Sequence, residues 1–480
     1  MMLRDQLNGI LEDLALVGTE TSLMLGAVLL LIVGLFTQRV AWIKSLYLAT
    51  LCIAFYLNWQ IEQSDLFLSD SLFGSAEIKG FTALFLLTGS LVLLFPRKKH
   101  LPEFYFLLLS LIVGSVFMMK SNSLLLVLLA IELVSFVSYI LTGFSFLKKG
   151  FEASIKYLLF GALSSSMMLL GVGFIYGATG EISVSSWSIE LFAALMPQVG
   201  LLLLLFGLFF KISIVPFHIW TPATYQEAPT DAVALFSVTP KLAGLLLLKR
   251  VVDSSGLDHE SWLISVVLLL GIFSILIGTL GALRQSNARR MISFGSIAHA
   301  GFLLGFVVTP VQNYNANGFW VYSVLYAVMS VAVFYLLDRY EERSIVVIRD
   351  YATSKSETWM GGVFTLVLIS LVGLPPLAGF TAKLFLFSGL WDIYQSTNAT
   401  MSIAYLLVAV FASVASLFFY LQIPRHIFLQ GERSPRRQSV ASFSIGSKII
   451  ATIFAVTLLL LFFVPKLVVS LRFLLYNAHE

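Results

Sequence analysis

The sequence predicts an all-α integral membrane protein that crosses the bilayer about 14 times. Three observations predict it. Hydrophobic residues make up 58% of the 480 and charged residues only 12%, about half the charge of a typical soluble domain. A water-soluble fold of this size has too little interior to hide that much apolar surface. The apolar residues also gather in runs of about 20, the length a bilayer core requires of a helix. Finally, Lys and Arg alternate between the loops that separate those runs. The composition excludes a disordered chain, a coiled coil and a nucleic-acid binder.

In chain order the apolar runs give spans 1 to 14 at 14–36, 40–58, 80–95, 101–119, 122–143, 151–176, 195–217, 231–250, 261–283, 291–308, 317–337, 359–390, 401–423 and 447–475. Asp5, Glu12 and Asp13 deny span 1 the basic flank of a signal peptide, so it reads as a retained helix. Spans 3 and 10 are short. Span 7 runs into Pro216, span 8 contains Pro240, and the over-long span 12 carries Pro375 and Pro376 in its middle. Proline interrupts a helix because it lacks the N–H and clashes with the preceding turn. Loops after odd-numbered spans hold most of the cations, including Arg97, Lys98, Lys99, Arg289, Arg290, Arg433, Arg436 and Arg437. Loops after even-numbered spans hold only Lys79, Lys120, Lys249 and Arg250. The positive-inside rule then places the odd loops in the cytoplasm and both termini on the outer, periplasmic side. The chain reads as one polytopic membrane domain over 1–480: spans 1–3 in 1–100, a first repeat in 101–250, a second in 261–423, and a C-terminal helix at 447–475.

Cys52 is the only cysteine, which precludes an internal disulfide and a four-thiolate iron–sulfur cluster. There is no Walker loop and no HExxH, and Gly171, Gly173 and Gly177 lack the dinucleotide spacing. No cofactor is expected in this chain.

Five charges stand where charge is unwelcome. Glu132, Lys156, Lys211, Lys241 and Lys383 lie within or close to apolar runs, and His218 and His299 lie within or at the edge of spans. Each Lys or Glu at membrane depth costs at least about 2.5–3.5 kcal/mol. Facing lipid, the five together would exceed a typical stability margin of about 5–15 kcal/mol. They are therefore expected to face the interior, pair with each other or touch buried water. Burial disfavours the charged form of either group, so such side chains can exchange protons. Plainer roles exist for each. Lys211 and Lys383 could be structural ion pairs, Glu132 a structural partner, and Lys241 a donor to carbonyls freed by Pro240. Lys156 could be interfacial, His299 a core histidine bonded to a carbonyl, and His218 a cap on the broken end of span 7. Glu20, in the first turns of span 1, reads as interfacial.

Two features favour proton chemistry. Lys211 and Lys383 share a Gly-x-x-x-Lys spacing (GLFFK at 207–211, GFTAK at 379–383) with a proline break beside each. They lie on spans 7 and 12, five apart, as Glu132 on span 5 and His299 on span 10 also do. That spacing predicts two five-helix repeats, spans 4–8 and 9–13, inverted relative to each other because each holds an odd number of crossings. Broken helices in inverted repeats mark a site at the bilayer midplane, and the backbone groups they free can hydrate.

With these motifs in hand, the chain resembles the antiporter-like membrane subunits of respiratory complex I, most closely the subunit N branch of NADH–quinone oxidoreductase. The resemblance runs along essentially the whole chain. It is strongest in FKISIVPFHIWTP (210–222), EAPT (227–230) and VTPK (238–241), and is supported by LLAIE (128–132), FEASIKYLLFG (151–161), SIAHAG (296–301) and GLPPLAGFTAK (373–383). It implies that Glu132 pairs with a central proton carrier, Lys211. Lys156, Lys241 and His299 would relay along the midplane, and Lys383 would lead to the exterior. A lysine at 383 separates the chain from the subunit M branch, and its length separates it from subunit L. The sequence departs from the family pattern at Ala223, where an aspartate is usual, and at Gln226–Glu227, where Glu227 can supply the missing acid.

The resemblance also implies partners. FMN, iron–sulfur clusters and quinone would be held by other subunits, with subunits M and K and the lateral helix of subunit L as neighbours in a bacterial inner membrane. The function expected is proton translocation coupled to electron transfer from NADH to quinone elsewhere in the complex. The alternatives are a subunit of a monovalent cation/proton antiporter and a non-transporting scaffold. A haem protein ligated by His218 and His299 would lack a second intramembrane histidine pair.

Overall fold

The computed structural model describes residues 16–37, 39–61, 66–68, 70–95, 101–192, 194–255, 261–308, 316–429 and 442–476. Asp5, Glu12, Asp13, Arg97, Lys98, Lys99, Arg433, Arg436 and Arg437 lie outside them. The chain begins with α1 (Gly18–Phe36), α2 (Val40–Gln60), a short antiparallel hairpin of β1 (Leu66–Phe67) and β2 (Leu72–Phe73), and α3 (Ala76–Leu91). It continues through α4 (Pro102–Lys120), α5 (Leu124–Gly143), α6 (Lys148–Thr179), α7 (Leu195–Lys211) and two short helices, α8 (Trp220–Glu227) and α9 (Thr230–Phe236). Then come α10 (Thr239–Ser254), α11 (Trp262–Leu283), α12 (Ala288–Val307), α13 (Ala316–Glu341), α14 (Thr358–Val372) and α15 (Ala378–Thr397). The last are α16 (Thr400–Tyr420), α17 (Gln422–Phe428), α18 (Ile445–Phe463) and α19 (Pro465–Tyr476).

Twelve helical stretches among the described residues are long and apolar enough to cross a membrane. The chain is therefore an all-α, multi-span membrane protein. Each predicted run meets a helix, but span 7 stops short and spans 8, 12 and 14 are each divided in two. Span 7 ends at Lys211, short of the expected 217: Ser213 takes a left-handed φ of 65°, and a cis Val215–Pro216 bond follows. Span 12, expected as one helix over 359–390, is two: α14 stops at Gly373, whose φ of 85° suits only glycine well, and α15 begins after the cis Pro375–Pro376 bond. Span 8, expected as one helix over 231–250, is two, α9 and α10, but the break at Ser237–Val238 precedes Pro240. That proline sits in the first turn of α10, where an N–H has no intrahelical partner to lose. Span 14 is interrupted at Pro465.

The helices form two compact units. Among the described residues, the first comprises those within 16–212, 238–255 and 471–476. There α1 packs on α2 and α4, α4 on α5, α5 on α6, α6 on α7, and α10 on α4. The α6–α7 seam depends on glycine: a Cβ on Gly171 would lie 2.5 Å from the Gly200 carbonyl oxygen, and small residues are what allow membrane helices this close an approach. Loops that follow spans 2, 4, 6 and 8 meet one another. The Asn122 amide donates to the Asp70 carbonyl and to Ser183 Oγ, both at 2.8 Å, and Arg250 donates to the carbonyls of Met119 (2.5 Å) and Ser121 (3.3 Å).

The second unit comprises the described residues within 213–237 and 261–470. There α11 packs on α12 and α16, α8 on α12, α9 on α13, α13 on α15, and α14 on α18. Segments that follow spans 9, 11 and 13 meet: Ile348 N–H donates to the Ser286 carbonyl at 2.8 Å, and Lys448 pairs with Glu357 at 2.9 Å. Within each unit, loops of like parity come together, as alternating crossings require.

At the break in span 12, a Cβ on Gly379 would lie 1.7 Å from the Ser370 carbonyl oxygen, which belongs to α14. That clash is with backbone, so it cannot be relieved by a rotamer change. Gly379→Ala is expected to lower stability by at least about 1–3 kcal/mol, read as earlier thermal loss of helicity in detergent. Gly362→Ala, with open space around its Cβ position, serves as the neutral control.

Candidate functional site

Lys211 is the last residue of α7 and only 3% exposed. Its ammonium lies 3.3 Å from Ser135 Oγ and 3.4 Å from the Tyr157 hydroxyl, and 5.6 Å from the centre of the Tyr157 ring. Ser135 comes from α5 and Tyr157 from α6, so three helices of the first unit converge on one charge. Glu132 lies on α5 one turn before Ser135. It is half-buried, with Oε1 enclosed and without a hydrogen-bond partner. Among the described residues no ion pair within 4 Å joins Glu132 to Lys211, although both neighbour Ser135, Glu132 by one turn of α5 and the ammonium at 3.3 Å. Tyr139 completes the group, its ring edge-on to Tyr157 at 4.6 Å.

Ser135, Tyr139 and Tyr157 are functional candidates that the sequence reading missed. A signal for two of them existed: Glu132, Ser135 and Tyr139 recur at helical spacing, a polar stripe through an otherwise apolar span.

Lys241, on α10, is 1% exposed within the same unit. Lys156 departs from the expected inward position. Its side chain is 57% exposed and pairs with Glu152, one turn away, at 2.5 Å. The reason is rotational: α6 buries Ala153, Tyr157, Gly161, Ser164 and Met168, and Lys156 falls one residue off that stripe. Glu20 departs in the opposite sense. It is fully buried and pairs with Lys120 at 2.6 Å. Lys79 and Lys249, read as loop cations, are buried too. Lys79 donates to the carbonyls of Trp59 (2.9 Å) and Ile61 (3.0 Å), and Lys249 pairs with Asp253 at 2.7 Å.

The second unit holds the other groups. Lys383, 3% exposed on α15, donates at 2.7 Å to the carbonyl of Val372, the last residue of α14. Its ammonium also stands 4.5 Å from the centre of the Phe302 ring. The break thus exposes a carbonyl, and the lysine occupies it. His299, 4% exposed on α12, has Nδ1 2.9 Å from the Tyr322 hydroxyl. One turn before it, Ser296 Oγ meets the Tyr326 hydroxyl at 2.9 Å, and Tyr326 donates to the Ser237 carbonyl at 3.1 Å. Tyr322 and Tyr326, one turn apart on α13, also escaped the sequence reading. His218 lies half-buried in the turn between α7 and α8, and the backbone of that turn is held by Ser274 Oγ, which accepts from Val215 N–H at 3.0 Å.

The chain matches the family model for the transmembrane region of NADH:quinone oxidoreductase and Mrp antiporters over residues 121–421. It belongs to this family. The matched segment contains Glu132, Lys156, Lys211, Lys241, His299 and Lys383. The chain is 33% identical over 419 residues to the NADH-quinone oxidoreductase subunit N of Chlorobium chlorochromatii, covering 81% of this chain and 79% of that one. Its fold is similar to a chain of respiratory complex I from Thermus thermophilus, with a TM-score of 0.75, 26% identity, and coverage of 94% and 98%. A chain of the Mrp complex from Dietzia sp. DQ12-45-1b shares the fold, with a TM-score of 0.80, 20% identity and 96% coverage of each.

The contacts around Lys211 can be tested by a double-mutant cycle on Ser135→Ala and Tyr157→Phe. Each single change is expected to lower stability by about 0.5–1.5 kcal/mol. The pair is expected to lose more than the sum, because the buried ammonium then has neither hydroxyl; thermal denaturation of the four proteins in detergent measures it.

Proposed function

We propose that this chain is a proton-translocating membrane subunit of an NADH–quinone oxidoreductase, with Lys211 as its central proton carrier. The observation that carries the reading is the placement of Lys211: an enclosed ammonium at a helix end inside an apolar span, faced by a serine and a tyrosine, with Glu132 one turn before that serine. Lys241 serves beside it in the first unit, and His299 and Lys383 are the working groups of the second. Lys156 is left out of the path, since its ammonium is exposed and held by Glu152. The prolines at 216, 240, 375 and 376 serve by interrupting or starting helices where carbonyls are needed.

In this reading electron transfer takes place in partner subunits that hold FMN, iron–sulfur clusters and quinone, and the chain couples to it mechanically or electrostatically. When Glu132 draws near, Lys211 holds its proton; when the attraction weakens, the proton leaves. Moving one charge against 100 mV costs about 2.3 kcal/mol. A change of two pKa units in a carrier is worth about 2.7 kcal/mol, so a modest change in one charge–charge interaction suffices. The inverted five-helix repeats, a bacterial inner membrane with both termini outside, and subunits M, K and the lateral helix of L as neighbours belong to the same proposal. The fold shared with the Mrp complex supports a second reading, a subunit of a monovalent cation/proton antiporter.

Lys211→Ala in the full complex, reconstituted in proteoliposomes, tests the proposal. A proton transfer deprived of its carrier slows by about 10²–10⁴-fold. Protons moved per NADH are therefore expected to fall, while NADH oxidation by ferricyanide is unchanged. An unchanged proton yield overturns the carrier role, and sodium-driven proton exchange without NADH favours the antiporter.

A further inference from the structure

By its place in the sequence Arg289 is an ordinary loop cation. In the fold it is not: its side chain is 8% exposed and all five of its N–H donors have acceptors. Nε and Nη2 face the two carboxylate oxygens of Glu341 as a fork, and Nη2 also reaches Thr230 Oγ1. Nη1 donates to the carbonyls of Ala228 at 2.7 Å and Gln226 at 3.4 Å. One side chain in the first turn of α12 thus ties together the last residue of α13 and the 226–230 loop between α8 and α9. All of these groups belong to the second unit.

The loop needs such a tie. α8 has eight residues and α9 seven, well below the about 12–15 at which a helix holds itself. The carbonyls of Gln226 and Ala228 lie at the C-terminal end of α8, where helical partners run out and a cation is favoured. These two helices are the segment that follows the break after Lys211, and α12 is the helix that carries His299. Lysine could not take the place of Arg289, because it offers three donors from a single point rather than a planar fork.

We propose that Arg289 is a positioning residue for proton translocation, fixing the α8–α9 segment against the His299 helix. This rests on the proton-carrier reading above.

The test uses the full complex in membrane vesicles, with Cys52→Ser and a reporter, Ala223→Cys, on the part-exposed face of α8. Two quantities are read: the rate of labelling by a maleimide, and protons moved per NADH. Arg289→Lys is expected to speed labelling and lower the proton yield, with ferricyanide reduction unchanged. The charge exchange Arg289→Glu with Glu341→Arg restores opposite charges but leaves nothing at 289 to donate to the two carbonyls; it is expected to restore neither quantity. Recovery of both by the exchange would show a mere ion pair and overturn the proposal. Wild-type labelling in Arg289→Lys, or fast labelling with a normal proton yield, overturns it as well. Should Arg289→Lys fail to assemble, Thr230→Val removes one acceptor of the five and is expected to move both quantities the same way by less; no movement in either overturns the proposal. The labelling arm does not depend on the carrier role of Lys211. If Lys211→Ala alone leaves the proton yield normal, the carrier reading fails and the labelling still reports on Arg289.

Discussion

A helix that stops inside a bilayer leaves carbonyls with no partner, and at the end of α14 the structure answers that problem with an ammonium group. Lys383 donates to the terminal carbonyl of α14, whereas Lys211, the last residue of α7, places its ammonium against Ser135 and Tyr157. The C-terminal end of a helix carries roughly half a negative charge, and in favourable partly buried geometry the attraction to a cation reaches about 2 kcal/mol. The insertion cost of the lysine is about 2.5–3.5 kcal/mol. Each deficiency therefore offsets much of the other. A broken helix without the lysine, or a lysine without the break, would be the less stable arrangement. The lysine that satisfies the break is also a group able to take up and release a proton.

Around Lys211 and His299 the polar contacts are mostly hydroxyls: Ser135 and Tyr157 near Lys211, Tyr322 near His299, and Ser296 with Tyr326 a turn away. A hydroxyl both donates and accepts, so it can face a group in either protonation state without being left unsatisfied. Carboxylates, by contrast, work at the helix ends, where Glu20, Glu341 and Glu357 each hold a cation. The division is chemically sensible. A tight ion pair fixes a protonation state and suits an anchor, whereas a hydroxyl contact leaves the state free to change.

Much of the fold could be read from hydropathy. Each of the fourteen runs meets a helix, because the bilayer rewards apolar length directly and the rule is local. The interruptions were announced by Pro216 and by Pro375–Pro376, though not their exact limits: α7 stops at Lys211 because of a left-handed Ser213, a conformation no residue preference announces. The site was legible in part. Lys211, Lys241, Lys383 and His299 stood out as charge or imidazole in apolar runs, and all are buried. Lys156 stood out equally and is exposed, while Glu20, read as interfacial, and Lys120, read as a loop cation, are a buried pair. Their sequence surroundings do not distinguish these cases.

Composition and hydropathy alone place the chain in a membrane, set the order of its crossings and mark the unusual charges, since those depend on how each residue partitions between water and lipid. Which way a marked side chain points, and what meets it, depends on helix rotation and packing. One residue is about 100° around a helix, the difference between Tyr157 facing Lys211 and Lys156 facing outward. Arg289 and its five acceptors come from three stretches of chain brought together only by folding, so no local pattern in the sequence could have assembled them.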